Sequence, residues 1–216
     1  MSKKTKLIQG VALQSDDKKK AKTVRRNRDT NVIAAAITVM AERGYSATSI
    51  QEVADRVGVL KGSLYHYFSS KEELLFRILD ESYQQSAEIT REVVALNLSP
   101  LEELSEFLRR MCLWYLTNLE RANIYFTESR HLTGDRLIET KVRGRDYEGY
   151  VFSLIVSAQN ANEISSDIDP KLMTRFIVGA LNNVRGWPSR SGKVFTDEEM
   201  TNAFVQFTRR SLGDLT

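Results

Sequence analysis

The feature that most constrains this chain is residues 48–76, which read TSIQEVADRVGVLKGSLYHYFSSKEELLF. Three short helical patterns follow one another there with almost no linker between them. Apolar residues of the first pattern recur at helical spacing, at Ile50, Val53, Ala54 and Val57. Gly58 then stands where the chain must turn, because a residue without a Cβ takes the left-handed conformation at little cost. The stretch therefore predicts short helices joined by a tight glycine turn.

The start of the first short helix carries a capping signal. Thr48 or Ser49 precedes it, and Gln51 or Glu52 follows three residues later. In such a capping box, the side chains at the two positions satisfy backbone N–H groups that have no partner inside the helix. The pattern predicts a helix that begins close to residue 50.

The second pattern, KGSLYHYF, predicts a helix from Lys61 to Phe68 with Leu64 and Phe68 facing inward. A third helix is predicted to start behind Ser70. Two short helices joined by a glycine turn form a helix-turn-helix, whose second helix can enter the DNA major groove. The second helix also carries side chains that donate to phosphates or reach base edges, namely Lys61, Ser63, Tyr65, His66 and Tyr67.

The segment ERGYSATSIQEVADRVGVLKGSLYHYFSSKEELL resembles the DNA-binding domain of the TetR family of bacterial one-component regulators. The resemblance is close over residues 27–76 and extends to the remainder only in architecture. GSLYHYF followed by SKEEL is specific to that family. One residue departs from the pattern: Leu60 stands where the family usually has a Ser or Thr that caps the recognition helix.

The resemblance implies a DNA-contacting role for eight residues. The residues predicted to face bases are Lys61, Gly62 and Ser63, with Gly62 letting the backbone come close. The residues predicted to hold phosphates or to flank these contacts are Thr48, Tyr65, His66, Tyr67 and Lys71. The predicted partner is a double-stranded DNA operator.

Composition favours an all-α chain of about nine helices that works in the cytoplasm. There are only three prolines and eleven glycines among 216 residues, and long stretches have a helical period. The single cysteine, Cys112, excludes an internal disulfide and fits a reducing compartment. No apolar run approaches the length that a bilayer requires, so no membrane association is predicted.

Positive charge is concentrated at the N-terminus. Residues 1–30 contain ten Lys or Arg and three Asp, whereas the whole chain has a formal net charge of only +3. We expect residues 1–24 to form a basic, disordered arm when DNA is absent. An arm of this kind either neutralises DNA phosphates or serves as a solubilising tail, and the sequence leaves both readings open. Residues 25–76 form the predicted DNA-binding domain.

The first helix of that domain is predicted to start near Arg26 and to end near Gly44. Its predicted buried stripe consists of Val32, Ile33, Ala36, Ile37, Val39 and Met40.

Residues 77–216 are predicted to form a helical domain for effector binding and dimerisation. Ser99 with Pro100 and Asp169 with Pro170 are predicted to start two of its helices, and Thr196 with Glu199 predicts a capping box at the last one. The helix after Asp169 has a predicted apolar stripe, which consists of Leu172, Met173, Phe176, Ile177, Ala180, Leu181 and Val184.

Between Leu101 and Leu119 the apolar residues cover more than half of the helix circumference, so that helix is either central in the core or lines a cavity. In family members of this shape the last two long helices pair with those of a second copy. The alternative is that both helices complete the core of a monomer; we favour the homodimer, because one short recognition helix reads too few bases to specify a site.

Aromatic and methionine side chains crowd the second domain, and each taken alone is more readily a core residue. In the family that the chain resembles, the second domain usually encloses an effector cavity, so we expect some members of the set to line a pocket. The segment ESRHLTGDRLIETKVRGRDYEGYVFSLI resembles regulators of fatty-acid or steroid catabolism that respond to acyl-CoA thioesters. Its arginines either meet the phosphates of such an effector or are solvated surface residues. The predicted ligand-binding residues are Met111, Trp114, Tyr115, Phe126, Arg145, Phe152, Met173 and Phe176.

Taken together, these patterns predict a homodimeric DNA-binding repressor that a small hydrophobic or acyl-CoA-type effector releases from its operator. The alternative is a DNA-binding regulator whose second domain binds a protein partner. An enzyme is not predicted, since the two histidines are far apart, Cys112 lies in an apolar stripe and no phosphate-binding loop or metal-binding motif occurs. No cofactor and no metal are expected.

Overall fold

The computed structural model of the chain describes residues 29–187 and 194–213. All regular secondary structure within these residues is helical, as predicted, and they divide into two compact units at the boundary between Leu74 and Leu75. The first unit contains α1 (residues 29–47), α2 (Ile50–Val57), α3 (Lys61–Leu64) and the start of α4 (Lys71–Val94). The second unit contains the rest of α4, α5 (Pro100–Thr117), α6 (Leu119–Glu128), α7 (Gly134–Asn160), α8 (Pro170–Asn183) and α9 (Asp197–Ser211). The predicted basic arm and the predicted start of the first helix at Arg26 lie outside the described residues.

The first unit is held together by the apolar stripe that the sequence predicts for α1. All of its members are buried: Val32, Ile33, Ala36, Ile37, Val39 and Met40. Gly44 has a φ of +76°, which interrupts the regular helix near the predicted stop. From α2 and the segment after it, Ile50, Val53, Leu64 and Phe68 are also buried.

The capping residues of the first unit are resolved by the structure. Ser49 and Glu52, rather than Thr48 and Gln51, form the capping box of α2. At the start of α4, Ser70 Oγ accepts a 3.1 Å hydrogen bond from the N–H of Glu73, as predicted, and the Glu73 carboxylate accepts from the N–H of Ser69 at 2.7 Å. Gly58 takes the left-handed conformation, with φ +75°.

The second predicted helix is shorter than expected. It ends at Leu64 instead of Phe68, and residues 65–67 form a turn. The N–H of Tyr67 donates to the carbonyl of Leu64, three residues back, at 2.8 Å. This tighter spacing ends the α-helix early yet still places Phe68 inside the core, where the helical pattern predicted it.

In the second unit, α5 is central, as its wide apolar surface predicts. It packs against α7 and α9, and α7 packs against α8. Pro100 begins the helix, but the side chain of Ser99 makes no capping hydrogen bond. Instead, the carboxylate of Glu163, from the loop after α7, accepts the N–H of Leu101 at 2.6 Å. The other predicted caps are present: Asp169 caps α8, and Thr196 with Glu199 forms the capping box of α9.

The predicted apolar stripe of α8 is only partly buried. Met173, Ile177, Leu181 and Val184 lie in the core, whereas Leu172 and Phe176 are exposed by 59% and 66%. On α9, Phe207 is 67% exposed. Within residues 29–187 and 194–213, no helix has both the length and the apolar character needed to cross a membrane.

Candidate DNA-reading surface and ligand cavity

The predicted DNA-reading surface is built on the turn between α2 and α3. Gly58 reverses the chain, and Leu64 and Phe68 anchor the segment in the core. This arrangement leaves Lys61, Gly62, Tyr65 and His66 exposed, with Ser63 and Tyr67 half-buried. Six of the eight predicted DNA contacts therefore lie on or beside one short solvent-facing segment.

Gly62 has no internal reason to be a glycine. A Cβ built on it would meet no other atom within 4 Å, and its φ is not positive. The neighbouring Leu60 is 80% exposed and its side chain makes no capping hydrogen bond to α3. At Gly62 the start of α3 thus presents bare backbone to solvent, which suits close approach by an outside partner.

Thr48 and Lys71 lie elsewhere than the sequence suggests. Thr48 is almost fully buried, and its hydroxyl donates a 2.8 Å hydrogen bond to the carbonyl of Gly44. The ammonium group of Lys71 donates to three backbone carbonyls, those of Tyr45, Ser46 and Thr48, at 2.9, 3.1 and 3.0 Å. Both side chains are engaged inside the first unit, which weighs against the predicted phosphate contacts.

The second unit contains a cavity of about 370 Å³. Residues of α4, α5, α6, α7 and α8 line it. Four predicted ligand residues are among them: Met111, Trp114, Tyr115 and Phe126. Further aromatic residues complete the wall: Tyr83, Tyr125, Tyr147 and Tyr150. A wall of this composition suits an apolar or aromatic ligand with a few polar groups.

The other four predicted ligand residues do not line the cavity. Arg145 is exposed and donates to the carbonyl of Lys141, while Phe152 is half-buried on another face of α7. Met173 packs in the core and Phe176 points to solvent on α8. Each lies on a helix that contributes other residues to the cavity wall.

The contribution of α4 to the cavity wall was not predicted from the sequence. This helix supplies Arg91 and a stripe of residues at helical spacing, namely Ser82, Tyr83, Ser86, Ala87 and Thr90. All members of the stripe except Tyr83 are small. That stripe of small side chains is the sequence signal for a cavity beside α4, because small residues on one helix face leave space between that face and its neighbours.

Arg143 is the most buried cationic group of the cavity wall. Its side chain is 14% exposed and pairs with Asp80 and Glu139. The guanidinium lies 4.3 Å from the centroid of the Tyr83 ring, where a cation and an aromatic face attract each other. Arg143 and the more exposed Arg91, rather than the predicted Arg145, are therefore the arginines of the cavity wall.

Polar groups of the wall are largely held in place. Trp114 donates through Nε1 to Gln85 at 2.9 Å, and Tyr150 donates to Glu103 at 2.7 Å. The hydroxyl of Tyr147 is buried without a hydrogen-bond partner among the described residues. Burial, and then the nearby Tyr115, hold the pKa of Tyr147 well above its ordinary value. Burial likewise raises the pKa of Tyr150, so Tyr147 and Tyr150 both stay neutral hydrogen-bonding groups at physiological pH.

Catalytic chemistry finds no support in the described residues. Burial raises the pKa of the Cys112 thiol to about 11, so that it is a core residue and not a nucleophile. In the same part of the chain, His, Cys, Asp and Glu side chains do not gather in groups of three that could hold a metal ion.

Comparison with known proteins identifies the family. Residues 32–78 match the model "Bacterial regulatory proteins, tetR family", and residues 97–212 match "Tetracyclin repressor-like, C-terminal domain". The chain is 28% identical over 171 residues to the HTH-type transcriptional repressor KstR2 of Rhodococcus jostii (strain RHA1), covering 79% of this chain and 84% of that protein.

Two solved structures extend the comparison. The ketosteroid transcriptional regulator KstR2 of Mycobacterium tuberculosis has a TM-score of 0.79 at 24% identity and covers 87% of this chain and 95% of its own. AibR, solved in complex with isovaleryl coenzyme A and operator DNA, has a TM-score of 0.75 at 25% identity, with coverage of 83% and 97%. The two family models together span both units, and the chain therefore belongs to the TetR family: it is a DNA-binding transcriptional regulator and not an enzyme.

Proposed function

We propose that the protein is a homodimeric repressor that leaves its operator when a small, largely apolar effector enters the cavity of the second unit. The effector class that we favour is an acyl thioester of coenzyme A. The observation that carries the proposal is the aromatic cavity of about 370 Å³ with Arg143 in its wall. Because operator DNA is the partner, the same proposal places the protein in the cytoplasm.

DNA binding is assigned to the exposed segment around α3. Lys61, Gly62 and Ser63 face the bases, while Tyr65, His66 and Tyr67 hold or flank phosphates. The exposure of Lys61, Gly62 and Tyr65 and the open space around Gly62 support this assignment. Thr48 is left out because its hydroxyl is buried and already bonded. Lys71 is left out because its three donors are already used.

The size of the cavity supports a ligand that enters only in part. Its volume lies near the lower end of the range for small-molecule pockets, roughly 300–1,000 Å³. It suits an acyl group and part of its linker, with the charged nucleotide of a thioester remaining near Arg143 or outside. AibR has been solved with isovaleryl coenzyme A, and its likeness to this chain favours the same effector class.

The cavity also bears on the alternative that the second domain binds a protein partner. That alternative calls for a sealed domain, and the second unit encloses open volume instead. Apolar side chains that face solvent on α8 and α9 support a second copy of the chain as the protein partner, namely Leu172, Phe176 and Phe207. A dimer also provides the two readers that a specific operator needs.

The proposed DNA reader is tested by binding to the DNA immediately upstream of the protein's own gene, against a scrambled fragment of equal length. We expect tight, sequence-specific binding by the wild type and loss of specificity in a Lys61→Ala, Tyr65→Ala double variant. Lys141→Ala, which removes one exposed lysine from α7, is the matched control and keeps normal affinity. A double variant that still bound its operator at normal strength would remove α3 from the reader.

A further inference from the structure

The ammonium group of Lys71 has a complete set of acceptors inside the first unit. Its three N–H donors meet the carbonyls of Tyr45, Ser46 and Thr48 at 2.9, 3.1 and 3.0 Å. The same group lies 4.5 Å from the centroid of the Tyr45 ring. A lysine with three carbonyls and an aromatic face around its charge has no donor left for a phosphate.

Two of these carbonyls, those of Tyr45 and Ser46, lie in the last turn of α1, and the third, that of Thr48, follows the helix directly. The last four carbonyls of an α-helix lack partners within the helix, and the partial negative charge at that end attracts cations. At the end of α1, Thr48 serves the carbonyl of Gly44 through both its N–H and its hydroxyl. Lys71 serves the carbonyls that follow. The end of α1 is therefore capped by a side chain from the first residue of α4, 23 to 26 positions later in the chain.

The hydrogen bonds of Lys71 connect the two ends of the helix-turn-helix that is proposed to bind DNA. All of α2, the Gly58 turn and α3 lie between residues 48 and 71. Lys71 thus joins the two ends of the helix-turn-helix, closing a ring of backbone around it. The link is made from one flexible side chain, so it can be removed without touching any residue that faces solvent on α3.

We propose that Lys71 is a positioning residue that holds the helix-turn-helix in its DNA-binding geometry, and is not a phosphate ligand. This inference rests on the proposed DNA-binding function. Without the clamp, the end of α1 and the start of α4 move independently, and the reader must be ordered at the moment of binding. That ordering cost lowers affinity for the operator while the number of phosphate contacts stays the same.

The Lys71→Arg substitution distinguishes a phosphate ligand from a positioning clamp. A phosphate ligand needs mainly positive charge, which Lys71→Arg retains. The clamp needs three donors on one tetrahedral nitrogen, and the planar guanidinium cannot direct its donors to the same three carbonyls. Lys71→Met removes charge and donors together but keeps an unbranched apolar chain. Lys61→Met is the matched control, since Lys61 is exposed and is assigned to the DNA surface.

The experiment measures operator affinity of these variants over a series of salt concentrations. We expect Lys71→Arg and Lys71→Met both to bind about tenfold more weakly than wild type, through loss of preorganisation, with the wild-type slope of log K against log salt. Lys61→Met should lower affinity and sequence specificity, because it removes a proposed base contact. A lost phosphate contact would instead lower the slope by about 0.9, and therefore by nearly two in a dimer. Slope and affinity together distinguish a lost phosphate contact from a lost clamp.

Amide hydrogen exchange of the free protein provides a second readout that requires no DNA. In Lys71→Met, the amides of residues 48–59 should exchange about tenfold faster than in wild type, while those of α5 keep their protection. Because Lys71→Arg retains the charge, it keeps the test available even if the Met variant does not fold.

Two results would overturn the inference. In the first, Lys71→Arg binds like wild type and Lys71→Met lowers the salt slope by nearly two, which would make Lys71 a phosphate ligand. In the second, both variants lose thermal stability but bind the operator with unchanged affinity, which would make the contact merely structural. If the wild type shows no sequence-specific DNA binding, the proposed function fails. The hydrogen-exchange measurement still tests whether Lys71 clamps the helix-turn-helix.

Discussion

Arg143 Nη2 lies 2.7 Å from the carboxylate of Asp80, so that an ion pair joins α7 to α4 beside the cavity. Glu139 pairs with the same nitrogen. The charge of Arg143 is thus already balanced by two carboxylates in the protein without ligand. An anionic effector must compete with these carboxylates for Arg143. Asp80 therefore lowers the affinity of the cavity for anions.

Asp80→Asn should strengthen binding of an acyl-CoA thioester. Removing one carboxylate beside a partly exposed arginine changes the interaction by about 0.2–1 kcal/mol, or roughly 1.5- to fivefold in affinity. Isothermal titration calorimetry measures this, with an uncharged acyl ester of the same chain length as the comparison ligand, whose affinity should not change. Glu81→Gln is the matched control, because Glu81 pairs with Arg121 and does not line the cavity. Equal thioester affinities for Asp80→Asn and wild type would mean that Arg143 does not meet the effector's charge.

Ala87→Trp should abolish the response to the effector and leave DNA binding intact. Ala87 lies on the cavity wall, and an indole ring there occupies volume that the ligand needs. Gln84→Trp places the same ring on an exposed position of α4 and serves as the control. Operator release by the effector is the measurement. A normal response in Ala87→Trp would place the effector outside this cavity.

Phe176→Asp should convert the proposed dimer into a monomer. Phe176 is exposed on α8 without a function in the fold of one copy, and a charge there cannot be buried in a subunit interface. Sedimentation should show a single chain, and operator affinity should fall by about a hundredfold or more because the two half-sites are no longer bound together. Ile138→Asp, at another exposed apolar residue on α7, should change neither property. A Phe176→Asp variant that remains dimeric would require an interface elsewhere.

Leu60→Ser should stabilise the first unit. Leu60 occupies the N-cap position of α3 but provides no hydrogen bond, and a serine there can accept from an unpaired N–H, worth about 1 kcal/mol. Little burial is lost, because the Leu60 side chain is mostly exposed. Urea unfolding of Leu60→Ser and Leu60→Ala isolates the effect of the hydroxyl. Identical urea midpoints for the two variants would show that a hydroxyl at residue 60 does not cap α3.

Local patterns predicted much of the fold because they depend on neighbours along the chain. The capping box at Thr196 and Glu199, the Asp169 cap and the Gly58 turn all involve residues within a few positions of each other. The wide apolar surface of α5 likewise predicted that this helix is central in the core or lines a cavity. Such signals are complete within one or two helical turns.

What the sequence could not predict depends on contacts between distant segments. The acceptors of Lys71 are backbone carbonyls more than twenty residues earlier, and no residue type marks them. Phe152 and Tyr150 lie two positions apart on α7, yet only Tyr150 lines the cavity. The apolar stripe of α8 includes Met173 in the core and Phe176 in solvent, because periodicity shows that a face is apolar without showing what covers it.

The central claim is that a ligand in the cavity releases the protein from a specific operator. Fluorescence anisotropy of a labelled fragment from upstream of its gene, titrated with wild-type protein and a panel of acyl-CoA thioesters, tests this directly. We predict sequence-specific binding that one thioester weakens by roughly 5- to 150-fold, the range of typical allosteric coupling, and a lost response in Ala87→Trp. Specific binding that every thioester leaves unchanged, with Ala87→Trp indistinguishable from wild type, would contradict the claim.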